Sequence, residues 1–153
     1  MKIILLSIIF AISLNIAHSG EVVQLEVEDV KATLMNDKKD KIVVFFTTWC
    51  TYCKHIILSK NLPKDKIVFI SVDSDKDTIE TFAKDMVYDL YHVVPTDDMQ
   101  NLVILSESLG IKFATINSEG MTDFRVPHIA FLDQDNKVIE DSIEIEDLQK
   151  YIK

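Results

Sequence analysis

Ile42-Val43-Val44-Phe45-Phe46-Thr47-Thr48-Trp49-Cys50-Thr51-Tyr52-Cys53 is the stretch that decides the fold. Its first five residues form an unbroken apolar run, of the length expected for a β-strand covered on both faces. Beyond Cys50 the period changes. Ile56 and Ile57 fall on the turn after Cys53, which predicts a helix from Thr51 to about Lys60, and Pro63 forbids more. Ile67-Val68-Phe69-Ile70-Ser71-Val72 then reads as a second buried strand. A strand, a crossover helix and a second strand make a parallel pair.

Upstream, Val22 to Glu26 suits a short edge strand, and Val27 to Met35 a helix with Val30 and Leu34 on one side. Downstream, Asp77 with Glu80 resembles a capping box, and Ile79, Phe82, Met86 and Leu90 recur at helical spacing. A further helix is expected from Thr96, carrying Met99, Leu102, Leu105 and Leu109 before Gly110 ends it. Lys112 to Asp123 shows no clear period and reads as loop with room for a short strand. After Pro127, His128 to Leu132 is a strand, Asp133 to Asn136 a turn and Lys137 to Glu140 a hairpin partner. A last helix holds Leu148, Tyr151 and Ile152. The order predicts an α/β fold, a central mixed sheet with helices on both faces.

The chain's 153 residues are 48% hydrophobic, with three Gly and three Pro, enough apolar material for one compact domain over 20–153. The first 19 residues stand apart. Met1-Lys2 is a basic start, Ile3 to Ile16 an apolar run, and Ala17-His18-Ser19 before Gly20 has the small-x-small character of a signal-peptidase site. The run falls short of the about 20 apolar residues that span a bilayer. A cleaved signal peptide is therefore expected, with an uncleaved anchor through residues 3–17 as the alternative. Either leaves the domain exported, periplasmic or held at the inner membrane. Removing residues 1–19 leaves 15 basic against 25 acidic residues, a charge of −10. Lysines scattered among so many carboxylates make a poor phosphate binder, which argues against nucleic acid.

Two cysteines in an exported chain first suggest a structural disulfide. Closing a loop as short as Cys50 to Cys53 removes only about 2 kcal/mol of chain entropy, against about 3 for a fifteen-residue loop. Such a bond is a poor staple and a good switch. Cys50 at a helix start, after a buried strand, sits where unpaired N–H groups and the helix dipole favour an anion, so its pKa is expected to be lowered. Cys53, one turn on, has the separation that a resolving thiol needs. Trp49 is expected to shield the pair and offer a flat apolar surface to a partner. A structural zinc site would need four ligands, and no second pair of cysteines exists. No cofactor is expected. From the residues alone Val126-Pro127, at a strand start, reads as an ordinary trans bond, with cis as the alternative.

Phe46 to Lys54 resembles the thioredoxin superfamily, and the exported TlpA-like members, which include cytochrome c maturation reductases, are most similar. The resemblance covers about residues 41–140. It implies a thioredoxin-like fold, Cys50 as nucleophile, Cys53 as resolving thiol and Pro127 as a cis-Pro, whose neighbour Val126 would pair with an extended substrate segment. Protein thiols or disulfides, with a membrane or periplasmic redox partner, are the implied partners, and reduction the implied direction. The long stretch from Asp73 to Arg125 is similar to an insertion in the TlpA-like group. The departures are Thr51-Tyr52 without a Pro, Val44 where thioredoxin has a buried acid, and Arg125 and His128 around Val126-Pro127.

His128 follows the Pro, and either lies near Cys50 and stabilises its thiolate or points away at the strand start. His55 reads as surface, His92 has no motif around it, and Phe46 and Tyr52 read as packing residues. The competing function is a copper-binding or copper-delivery module of the same fold using Cys50, Cys53 and His128, since thiolates with an imidazole suit copper.

Overall fold

The computed structural model describes residues 20–58, 61–93 and 99–152. The expected signal peptide, Lys60 and Thr96 lie outside the described residues.

Four parallel strands form most of the sheet: β1 (Val22–Leu25), β2 (Lys41–Phe46), β3 (Ile67–Ser71) and β4 (Leu90–Val93). β7 (His128–Leu132) and β8 (Val138–Glu140) complete it in the order β1-β4-β3-β2-β7-β8, with β7 antiparallel to β2 and β8 antiparallel to β7. β1 is an edge strand, as its sequence suggested. The helices are α1 (Val27–Asn36), α2 (Thr51–Leu58), α3 (Lys76–Ala83) and α4 (Gln100–Leu109), followed by a closing 3-10 helix over Ile145–Lys150.

β2 is buried along its whole length, which is why its sequence lacks the alternation of a half-exposed strand. Val44 and Phe46 point into one core with Phe69, Ile79, Ile129 and the α2 residues Cys53, Ile56 and Ile57. Val43 and Phe45 point into the other with Leu102, Leu105, Phe113 and Ala130. Even Lys41 is buried at the strand's start, its Nζ donating to the carbonyls of Leu34 and Asp37 and, at 2.8 Å, to Asn136 Oδ1. Desolvation there pushes the Lys41 ammonium pKa down.

Four expectations change, one being that the closing helix is 3-10 and ends at Lys150, so Tyr151 and Ile152 lie beyond it. α3 is capped by Asp75, whose side chain accepts the Asp77 N–H, not by the Asp77–Glu80 pair. Leu90 is not on that helix. The helix stops at Ala83, and Leu90 opens β4, which the sequence reading did not separate from it. Met86 and Leu90 are both buried, so the spacing reported burial rather than backbone. The aperiodic stretch holds a hairpin, β5 (Ala114–Ile116) with β6 (Thr122–Phe124), forming a two-stranded sheet of its own. Gly110 ends α4 as expected, in the left-handed region at φ 69°.

Candidate redox centre

β2 delivers the chain to the carboxyl edge of the parallel strands, where Thr47 to Trp49 turn it into α2. The Cys50 N–H donates to Thr47 O at 3.2 Å, and Cys50 O accepts the first helical bond from Lys54 N at 3.2 Å. Cys50 therefore occupies the N-cap position of α2. Its sulfur behaves as a cap acceptor: the Cys53 N–H, three residues on, donates to Cys50 Sγ at 3.2 Å. Negative charge on this atom is favoured by that donor and by the helix dipole. The two sulfurs are joined in a disulfide, with Cα atoms 5.3 Å apart. Cys50 is 7% exposed and Cys53 fully buried, so only Cys50 meets a partner.

The rim is apolar. Trp49 is 67% exposed, and its ring stands edge-on to Phe124 of the β5–β6 hairpin at 6.5 Å between centroids. Phe46 packs in the core as expected, but Tyr52 is 70% exposed and flanks the dithiol. His55 is on the surface. The Val126-Pro127 bond is cis, and both residues are half-buried between β6 and β7. Antiparallel pairing of β7 with β2, with Phe45 opposite His128, brings Pro127 to the end of β2 from which the dithiol loop departs.

The same register turns His128 away from the thiols. It shares the Phe45 face of the sheet, whereas both cysteines lie on the face of Val44 and Phe46. Its Nε2 is 2.6 Å from Asp141 Oδ1, and its ring lies 6.5 Å from that of Phe113. Asp141 also accepts the N–H groups of Ser142 and Lys112, at 3.0 and 2.9 Å. His128 thus ties β7 to the chain before β5 and after β8, and the thiolate contact considered for it is not made.

The sequence reading missed a buried polar cluster beside the dithiol loop. Asp73, just past β3, is 6% exposed. Its carboxylate accepts the Thr48 N–H at 2.9 Å, the Thr48 hydroxyl at 2.8 Å and the Ser71 hydroxyl at 2.8 Å. It thereby clamps the loop two residues before Cys50. Behind it His92 of β4, paired with Ser71, has Nε2 2.9 Å from Asp73 O. A carbonyl can only accept, so Nε2 carries the proton. His92 Nδ1 and Thr47 Oγ1 are buried and find no hydrogen-bond partner among the described residues. One signal was available: an Asp closing a buried parallel strand stands at the carboxyl edge, where α/β sheets place their sites.

The family model described as Redoxin matches residues 16–151. The chain belongs to the Redoxin family. The capped, asymmetrically exposed pair Cys50 and Cys53 is the candidate redox centre of this family member. A protein disulfide-isomerase of Schizosaccharomyces pombe is 34% identical over 90 residues, covering 46% of this chain and 25% of its own length. The chain thus spans about a quarter of that curated relative. Among solved structures, the thioredoxin domain of a thiol-disulfide oxidoreductase from Bacteroides vulgatus is 16% identical at a TM-score of 0.49, covering 76% of this chain and 81% of its own. A DsbF homologue from Corynebacterium diphtheriae is 19% identical at 0.45, covering 76% and 71%.

Proposed function

We propose that this Redoxin-family chain reduces disulfides of protein substrates outside the cytoplasm. The observation that carries the chemistry is the Cys53 N–H aimed at the sulfur of the more exposed cysteine. In the reduced protein the Cys50 thiolate attacks one sulfur of a substrate cystine. A mixed disulfide forms, and the other substrate sulfur leaves as a thiolate and takes a proton. Cys53 then gives up its proton and attacks Cys50 Sγ. The intramolecular disulfide closes and the second substrate thiol leaves. Two electrons pass to the substrate, and an external dithiol or redox partner must return them.

Reduction as the direction is supported by the similarity of the dithiol segment to the TlpA-like group. Export is supported by the basic start, apolar run and small-residue site of residues 1–19. The copper alternative loses its third ligand, because the His128 ring is engaged with Asp141 on the other face of the sheet.

The test is turnover of insulin with dithiothreitol as reductant. Cys50→Ala abolishes it, and Cys53→Ala accumulates mixed disulfides. Unchanged turnover in Cys50→Ala refutes the mechanism, and a strongly oxidising equilibrium with glutathione refutes the direction.

A further inference from the structure

We propose that the β5–β6 hairpin is a docking arm for an extended apolar segment flanking the cystine of a protein substrate, and that Ile116 is its specificity-determining contact. The inference rests on the reading of the chain as a reductase of protein disulfides.

Three observations carry it. First, the hairpin stands apart from the six-stranded sheet, and among the described residues β5 and β6 pair only with each other. It ends at Phe124, two residues before Val126, so it rises beside the dithiol. Second, its register puts Ala114 opposite Phe124 and Ile116 opposite Thr122, so these four side chains share one face. At the base of that face Ala114 is buried and Phe124 packs on the core and meets Trp49. Farther out Ile116 is 50% exposed. The face thus links Phe124, which meets Trp49 beside Cys50, to Ile116, half-exposed beside Val103 and Glu107 of α4, on a chain with a formal charge of −9.

Third, the arm is pre-formed. At its tip Asn117 Oδ1 accepts the N–H groups of Glu119 and Met121, both at 3.0 Å, and Asn117 O accepts that of Gly120 at 3.0 Å. Its base is closed by the Arg125 N–H on Phe113 O at 3.0 Å. A face already ordered loses little further entropy on binding. Because Cys50 is only 7% exposed, a protein cystine must be held against the rim to react. An extended segment suits the β6 edge of this two-stranded sheet, since the β5 edge meets α4 through the Ala114 N–H on Ser106 Oγ at 3.4 Å. A small disulfide reaches Cys50 without spanning the arm.

The test compares insulin with dithionitrobenzoate, a small aromatic disulfide, using the full chain and its Ile116→Ser, Ile116→Val and Ile139→Ser variants. Ile139 is a comparably exposed isoleucine on β8, away from the arm. Losing the apolar contact of a half-exposed isoleucine corresponds to about a five- to tenfold loss of binding. Ile116→Ser is expected to lower the ratio of kcat/KM for insulin to that for the small disulfide by this factor, through KM, while Ile116→Val and Ile139→Ser keep the ratio. A ratio unchanged in Ile116→Ser, or equally lowered in Ile139→Ser, overturns the assignment while leaving the reductase reading in place. Sedimentation showing that Ile116 instead joins two copies of the chain also overturns it. Insulin turnover that survives Cys50→Ala removes the reductase reading and this inference with it.

Discussion

Replacing Asp73 by alanine removes the acceptor of three donors at the root of the dithiol loop: the Thr48 N–H, the Thr48 hydroxyl and the Ser71 hydroxyl. All three residues are buried, at 8%, 0% and 6% exposure for Thr48, Ser71 and Asp73. Hydrogen bonds to a carboxylate each contribute about 1.5–3 kcal/mol, which summed naively would exceed the effect of most single substitutions. Two offsets reduce the sum. The hydroxyls can rotate toward other acceptors or toward water admitted to the vacated space, and the cost of burying a carboxylate disappears. The Thr48 N–H cannot rotate away. The expected loss is therefore about 3 kcal/mol, one unsatisfied buried donor plus part of the hydroxyl bonds. Asp73→Asn keeps one acceptor oxygen and is expected to cost about half as much. Urea unfolding of the oxidised protein measures both, with an unchanged m-value marking a change in stability alone. Because Thr48 and Asp73 act as a unit, a double-mutant cycle with Thr48→Val should return a coupling of about 1 kcal/mol or more. A loss below about 1 kcal/mol for Asp73→Ala, with additive energies in the cycle, would refute the clamp.

His128→Ala breaks the tie to Asp141 and should cost about 1–3 kcal/mol in the same unfolding assay, by leaving Asp141 without its buried partner. The pH profile of Cys50 alkylation should stay in place, since the ring faces the opposite core; a shifted profile would contradict that orientation. Tyr151 hydrogen-bonds Glu140, which pushes its phenol pKa from 10.0 up to about 12. The phenol is held protonated in the folded state, so it binds more protons there than in the unfolded chain between these values, and its stabilising effect is lost as pH rises through about 12. Ultraviolet titration of the four tyrosines should show one late transition that Glu140→Gln moves back toward 10.0. Identical titration curves would dismiss the contact.

What could be read from the sequence follows from which interactions are local. β2, β3 and β7 were legible because strands covered on both faces carry continuous apolar runs. The helix after Cys50 was legible because the period changed within one turn. β4 was not, because Leu90 continued a helical spacing from Ile79 while in fact closing the same core from a neighbouring strand. The hairpin carries Thr115, Asp123 and an Asn-Ser-Glu-Gly tip, which read as loop until Ala114 and Phe124 are seen to rest on the core. Asp73 was invisible for another reason. Its partner in the dithiol loop, Thr48, lies 25 residues upstream, and only the pairing of β2 with β3 brings the two together. The orientation of His128 needed both the β7 register and the face on which α2 packs. Strand alternation separates His128 from Ile129, but it does not say which of the two shares a face with the cysteines.

The geometry also explains why this disulfide can open without disturbing the fold. Cα atoms three residues apart along an α-helix lie about 5 Å apart whether or not their side chains are bonded. The 5.3 Å between Cys50 and Cys53 Cα atoms is thus set by α2, and the bond adds little constraint to it. The backbone on either side is fixed independently. Upstream, β2 is buried on both faces and Thr48 is held by Asp73; downstream, Ile56 and Ile57 anchor α2 in the core. The Cys53 N–H can serve Cys50 Sγ as a disulfide sulfur or as a thiolate, so reduction requires no new backbone donor at the cap. Loop entropy gives the oxidised form at most about 2 kcal/mol, while charge at the helix terminus stabilises the reduced form by an amount of the same order. With the two terms opposed and comparable, the chain can carry either sulfur state on one scaffold, as the proposed passage of electrons through a single dithiol requires.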